Sequence, residues 1–329
     1  MNVLLVQIDG AMPNLALMRI AAHHRAQGDF VHLVQYRHEV GRKDARIEDA
    51  ELGLFDRWHE VYASLLFTKS QKVARRLLEV YPHARVGGTG WSFKTLDEFG
   101  IPDDGPQDYS IYPEEWRSIG FTQRGCRLDC SQFCVVPKKE PELKDVATIQ
   151  QIWRGEPRPR ELILLDNDFF GLPSWKEKIA EIKAGRFKVS LTQGINARML
   201  TDEAAQAIAS IDYRNDAMDR RCIHTAWDNL GHEGPLFRGL RALVKYGVKP
   251  RNISVYMLIG LKEQRVTDED FERQRKLREF GCLPYPMPFV RTPELVGFQR
   301  WIIGAYDKRV PWAAWERAKY QPKNLRGAA

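Results

Sequence analysis

Residues 125–137 read Gly125-Cys126-Arg127-Leu128-Asp129-Cys130-Ser131-Gln132-Phe133-Cys134-Val135-Val136-Pro137. The chain holds 5 cysteines; three of them crowd this stretch, while Cys222 and Cys282 stand alone. An odd, clustered set argues against a disulfide framework and for metal ligation. Iron–sulfur clusters are held by thiolates, and a cubane normally takes four of them. Three on one compact loop leave one iron without a protein ligand, open to a small molecule. Structural zinc is the competing chemistry, with three cysteines and a histidine. His224, in Cys222-Ile223-His224, is its best fourth donor. Zinc sites, however, usually add a second knuckle elsewhere, and none is present. The two isolated cysteines read as small buried hydrophobes.

Upstream of the loop, strand and helix alternate. Val3 to Ile8 is a continuous apolar run, as expected of a strand buried on both faces. Asn14 is placed to cap a helix with Leu17, Ile20 and Ala21 on one face and Gly28 as its stop. Phe30 to Val34 and Val61 to Phe67 predict two further strands. A helix with Val73, Leu77 and Val80 on its buried side follows, and Arg85-Val86 runs into Gly87-Gly88-Thr89-Gly90. Such alternation indicates a parallel sheet, whose ligand site lies at the carboxyl ends of its strands. Residues 99–114 are rich in Gly and Pro and read as a surface crossing.

Downstream, the alternation resumes. Leu162–Leu165, Lys188–Thr192, Ile223–Ala226, Ile253–Ile259 and the proline-interrupted Cys282–Val290 are predicted strands. Helices are expected after Ser174 and Thr201, over Leu236–Tyr246, and after Thr267, which forms a capping box with Asp270 ahead of Gly281. With a strand before Cys126, roughly six β/α units follow in order, predicting an incomplete (β/α)6 barrel. The expected organisation is thus an α/β chain: a Rossmann-like open parallel sheet over 1–105, a partial barrel over 106–290, and a helical extension over 291–329. Trp301, Trp312 and Trp315 in that extension are expected to pack against the barrel.

Of the 329 residues, 43% are hydrophobic and 28% charged, which excludes a largely disordered chain. No apolar run approaches the roughly 20 residues of a membrane span. The opening strand has no basic leader or cleavage site, so the chain is expected to be cytoplasmic. The net charge of +7 permits a nucleic-acid partner, but Lys and Arg are scattered rather than gathered in a block. No acid–base pair or Ser–His–Asp spacing stands out, and no Lys-Ser or Lys-Thr follows the glycine turn to make a phosphate loop.

At the cysteine loop the sequence resembles the radical SAM family. The commonest loop there has three residues between the first two cysteines and two before the third, with an aromatic beside the last. Cys126, Cys130 and Phe133 match, while the second gap is one residue longer. The resemblance extends to Ile119–Cys126, Val135-Val136-Pro137, Leu165–Phe170, Gln193–Arg198 and Ala226-Trp227-Asp228. It covers most of the chain, and it is to members with an N-terminal cobalamin-binding-type domain. What it implies is a [4Fe-4S] cluster on Cys126, Cys130 and Cys134, with S-adenosylmethionine (SAM) chelating the open iron. Reductive cleavage would give a 5'-deoxyadenosyl radical that abstracts hydrogen from an unidentified substrate, with flavodoxin or ferredoxin as electron donor.

The resemblance also implies positions for the rest of SAM. Asp166, Asn167 and Asp168 would meet its amino group, and Arg198 its carboxylate. Phe133 and Gly260 would lie against adenine, and Asp228 against ribose, with Gln193 and Asn196 as substrate candidates. The Asp-x-His-x-x-Gly motif that gives cobalt a histidine is missing; Asp9-Gly10-Ala11 stands near its place. A vestigial or substrate-facing first domain is therefore preferred over cobalamin binding. The rivals are a cobalamin-dependent radical SAM methyltransferase, a nucleic-acid modifying enzyme and a zinc-stabilised binding module.

Overall fold

A computed structural model describes residues 1–36, 57–130 and 134–318 of the chain. They fall into two compact units, Met1–Trp116 and Arg117–Ala329.

In the first unit, β1 (Asn2–Gln7) leads to α1 (Leu15–Ala26), β2 (Phe30–Gln35) and β3 (Glu60–Ser64), followed by α2 (Gln71–Val80) and β4 (Arg85–Gly87). All pairings are parallel, in the order β2-β1-β3-β4. β1 is central because its side chains are apolar on both faces: Leu4 and Val6 join one buried cluster, Val3 and Leu5 another. Asn14 caps α1 as expected, its side chain accepting from the Leu17 N–H at 3.1 Å. One expectation fails on α2, where Leu77 is fully buried but Val80 is 48% exposed. The order in which strands are added reverses between β1 and β3, the kind of switch point at which open α/β sheets form a crevice.

That crevice is braced by its own side chains. The Asp9 carboxylate accepts the N–H groups of Leu66 (2.6 Å) and Phe67 (3.1 Å), tying the β1 and β3 loops together. Tyr112 donates to Gln7 Oε1 at 2.8 Å, and Gln7 Nε2 donates to the Met12 carbonyl at 2.8 Å. Gly90 N–H reaches the Leu65 carbonyl at 3.1 Å and closes the glycine turn on β3.

The second unit opens with β5 (Ser118–Gly120), β6 (Gln123–Arg124), α3 (Val136–Lys139), β7 (Lys144–Asp145) and α4 (Ile149–Ile152). Then come β8 (Glu161–Leu164), α5 (Trp175–Ala184), β9 (Lys188–Leu191), α6 (Asp202–Ser210), β10 (Asp212–Tyr213) and β11 (Ile223–Ala226). The chain continues through α7 (Glu233–Lys245), β12 (Ile253–Ile259), α8 (Asp268–Phe280), β13 (Leu283–Pro288), α9 (Pro293–Ile303) and α10 (Trp312–Ala318). Two parallel sheets result, β10-β9-β8-β5 and β11-β12-β13. The Ile195 N–H bonds the His224 carbonyl at 2.7 Å, linking the turn after β9 to β11.

One large apolar cluster backs both sheets. Leu162, Leu164, Val189, Leu191, Ile223, Val255, Met257 and Ile259 meet helix residues such as Ile182, Ile208, Leu240 and Leu277. Trp301 is buried in this cluster, and Trp312 and Trp315 pack against it. Fully burying each such side chain contributes about 1.5–3 kcal/mol, so the sheets are fixed from their helix side. The carboxyl ends of the strands are left for polar work.

The prolines of β13 make sense at an edge. Phe289 N–H bonds the Ile259 carbonyl of β12 at 2.9 Å, so Leu283, Tyr285 and Met287 address β12 as well. Pro284, Pro286 and Pro288 then face outward, where a missing N–H costs nothing and blocks strand addition. Gln299 of α9 caps the outward Pro286 carbonyl at 2.8 Å.

At Gly239, helix α7 touches the turn Ala197–Met199 backbone to backbone; an added Cβ would overlap the Ala197 carbonyl. Exposed glycine to alanine in a helix normally stabilises by about 1 kcal/mol. Here overpacking should dominate, and Gly239→Ala should destabilise by about 1–3 kcal/mol. Urea unfolding of the variant checks this; a midpoint at or above that of wild type would contradict it.

Candidate functional site

Every described residue expected around the cofactor follows the carboxyl end of a parallel strand. The cysteine loop comes after β5, Asp166 to Asp168 after β8, and Gln193, Asn196 and Arg198 after β9. Asp228 follows β11 and Gly260 follows β12, next to Leu295. Phe133 lies outside the described residues.

The cysteine loop is tied at its neck by a pairing that carries no sequence periodicity. β6 and β7 run antiparallel, with Gln123 opposite Asp145 and Arg124 opposite Lys144. Arg124 adds an ion pair to Glu140 at 2.5 Å, and Glu140 also accepts the Gly125 N–H at 3.2 Å. Gly125 has φ +84°, and a Cβ there would overlap the Glu142 carbonyl, so glycine is required where the strands of the neck cross.

The three thiols are partly exposed. The Leu128 N–H points at Cys126 Sγ at 3.4 Å, and the Cys134 N–H closes a turn on the Cys130 carbonyl at 2.8 Å. Burial pushes the Cys126 and Cys130 thiols up, and neighbouring cysteine charge adds to this. Cys130 also feels the Arg198 cation, which favours its thiolate, and the Asp228 carboxylate, which opposes it. Residues nearly 100 positions apart in sequence thus share one electrostatic neighbourhood. Among the described residues no three Cys, His, Asp or Glu side chains are gathered tightly enough to hold a metal ion. The donor set itself, three soft thiols on one short loop with an N–H aimed at one sulfur, fits an iron–sulfur cluster.

The acidic residues after β8 turn back on the loop. Asp166 Oδ1 accepts the Thr122 N–H (2.8 Å), the Thr122 hydroxyl (3.0 Å) and the Gln123 N–H (2.5 Å). Its Oδ2 is buried without a partner, and burial pushes the carboxyl up to about 6. Asp168 accepts from Arg127 three times: Nε at 2.7 Å, Nη2 at 3.0 Å and the backbone N–H at 3.2 Å. Asn167, between them, is partly exposed.

After β9, Arg198 contacts Asn196 Oδ1 at 3.4 Å and His232 Nδ1 at 2.8 Å, while Asn196 Nδ2 is buried without a partner and Gln193 is exposed. After β11, Asp228 Oδ1 accepts the Leu258 N–H at 2.8 Å, which ties the β11 and β12 ends together. Arg273 of α8 repeats that tie from beneath, donating to the Trp227 carbonyl (2.6 Å), the Leu258 carbonyl (3.0 Å) and the Asp270 carboxylate. Sequence reasoning missed Arg273; as one of three arginines in a polar helix, it gives no sign that it is the buried one. His224, the candidate zinc donor, faces Cys222 Sγ at 3.7 Å and stacks on Tyr256 with ring centroids 5.2 Å apart.

No protein-family model matches the sequence, and no curated protein does. Among solved structures it is similar to the radical S-adenosylmethionine methyltransferase TsrM from Kitasatospora setae with cobalamin and a [4Fe-4S] cluster bound. The likeness covers 88% of this chain and 75% of that one, at 12% identity and a TM-score of 0.54. The same enzyme with tryptophan substrate and the SAM analogue aza-SAM gives 87% and 72%, 12% identity and 0.51. The chain is similar in fold to that enzyme. At this identity the likeness is one of fold.

The Asp166 carboxyl generates a pH test. Its usual value is 3.8 and burial raises it to about 6, so its contribution is full below pH 4 and lost as pH rises through 6. The loss is about 3 kcal/mol for two pKa units. Asp166→Asn should therefore gain stability relative to wild type between pH 4 and 7, measured by chemical denaturation at both ends. Parallel pH profiles would count against the burial argument.

Proposed function

We propose that this chain is a radical SAM enzyme. Cys126, Cys130 and Cys134 would hold a [4Fe-4S] cluster, and the product radical would abstract hydrogen from a substrate not yet identified. The observation that carries this is the convergence at Cys130: a thiol of the loop lies within electrostatic reach of Arg198 and Asp228, from the ends of two other strands. The cluster, when bound, supplies the electron that opens a carbon–sulfur bond of SAM to give methionine and the 5'-deoxyadenosyl radical.

The chain's own groups do the positioning. Arg198 offers a planar fork to the SAM carboxylate. Asp228, with one oxygen on Leu258 N–H, would keep the other for a ribose hydroxyl, and Gly260 would meet adenine through its main chain. Asn167 has an acceptor for the SAM ammonium. Gln193 and Asn196, beside them, would face the substrate. A flavodoxin or ferredoxin would bring the electron.

A cobalamin-dependent methyltransferase is a second possibility with support of its own. At the carboxyl edge of the first unit, Leu66 is 43% and Phe67 50% exposed, beside the switch point and the glycine turn. An apolar platform there suits a flat macrocycle, although Asp9 already braces the β3 loop and no histidine stands near it in sequence. Radical modification of a nucleic acid remains a third, resting on the net charge of +7.

Anaerobic reconstitution should load about four iron atoms per chain, as a cubane requires. Dithionite should then release 5'-deoxyadenosine from SAM. Cys130→Ala should abolish that release; retained turnover, or zinc in place of iron, would sink the proposal. Adding hydroxocobalamin during reconstitution separates the two enzyme types: a corrin spectrum that survives gel filtration marks the methyltransferase, and its absence marks simple hydrogen abstraction.

A further inference from the structure

We propose that Arg127 and Asp168 form a positioning pair that mounts the cysteine loop on the end of β8 and balances the charge beside Cys126. This rests on the function proposed above and assigns Asp168 a different task from the one the family resemblance implies. The resemblance gives Asp168 to the SAM ammonium. Both of its oxygens are already engaged: Oδ2 accepts Arg127 Nε and the Arg127 backbone N–H, and Oδ1 accepts Arg127 Nη2. The Asp168 side chain is 2% exposed and that of Arg127 28%.

A buried carboxylate in a two-pronged pair with a guanidinium is among the stronger polar contacts a protein makes. Removing Arg127 strands the Asp168 charge out of water, at a cost well above that of a surface pair. An incoming ammonium would have to break that fork. Asn167 would have to take the ammonium instead.

The grip on the loop has two points. Asp166 holds the entrance at Thr122 and Gln123, and Asp168 holds Arg127, the residue directly after the first cysteine. Both carboxylates come from one short stretch after β8, so the loop is registered to that strand before any metal arrives. The pair also sets the local field. Cys126 lies within range of the Asp168 charge, and Arg127 within range of Cys126. While paired, the two charges act on the sulfur in opposite senses; unpaired, either one acts on it alone.

That field gives the pair a signature that a purely structural role lacks. Asp168→Asn leaves an uncompensated guanidinium near the cluster, which favours taking up an electron. Arg127→Gln leaves an uncompensated carboxylate, which opposes it. The experiment uses the full chain, reconstituted anaerobically as wild type, as each single variant and as the double variant. Iron per chain is measured, and the cluster midpoint potential is followed by EPR during a dye-mediated titration.

The expected result is at least a twofold loss of retained iron in each single variant. Asp168→Asn should move the potential up, Arg127→Gln should move it down, and the double variant should return close to wild type. Single variants that share the wild-type iron content and potential, or that shift in the same direction, overturn the pairing. Should Asp168→Asn fail to fold by circular dichroism, Arg127→Lys keeps the charge but loses the fork. A potential close to wild type in Arg127→Lys beside a lowered one in Arg127→Gln supports the pair; equal shifts in both overturn it. A wild-type chain that takes up no iron removes the proposed function and the pair with it, whereas iron in wild type with unmoved variants removes the pair alone.

Discussion

The candidate site depends on two carboxylates that the end of β8 turns back toward the preceding strand. Asp166 is 3% and Asp168 2% exposed, and each meets its donors on the segment that enters the cysteine loop. Buried charge is tolerated only when paired and hydrogen-bonded. Asp168 meets that condition through Arg127. Asp166 meets it on one oxygen only, and its raised pKa records the remainder. The entrance to a short loop with three thiols is thereby tied to β8 by polar contacts.

The other strand ends are fixed by a parallel device. Arg273 reaches up from α8 to the backbone carbonyls after β11 and β12, and Asp228 joins the same two loops from above. These loops carry the groups assigned to ribose and adenine, so their spacing is set by a guanidinium nearly out of water rather than by loop packing. A side chain held this way loses little further freedom when a ligand arrives, which is how a small site becomes pre-organised. The helix-side core fixes the strands; arginine–carboxylate pairs fix what projects from them.

Much of this frame was legible in the sequence, for a definite reason. Ile253–Ile259 appears at the residues expected, because a parallel strand buried against helices reads as a largely apolar run. The Thr267–Asp270 capping box and the left-handed Gly281 were equally plain, since local backbone chemistry dictates them. The neck strands β6 and β7 were not legible: two residues a side give no period, and their pairing spans the whole cysteine loop. β10, also two residues, was missed for the same cause. In the site, the sequence placed Asp166, Asn167 and Asp168 correctly at a strand end but could not say which way they turn. That depends on Thr122, Gln123 and Arg127, some forty residues earlier, and so on tertiary contact alone.

The same contacts bear on how the loop would take its metal. The Cys126 and Cys130 thiols are pushed up by burial and by each other, and the nearest cation to Cys126, Arg127, is already spent on Asp168. Arg198 eases the cost at Cys130 but burial and the neighbouring charges outweigh it, so the metal must supply most of the compensating charge, and binding therefore releases protons.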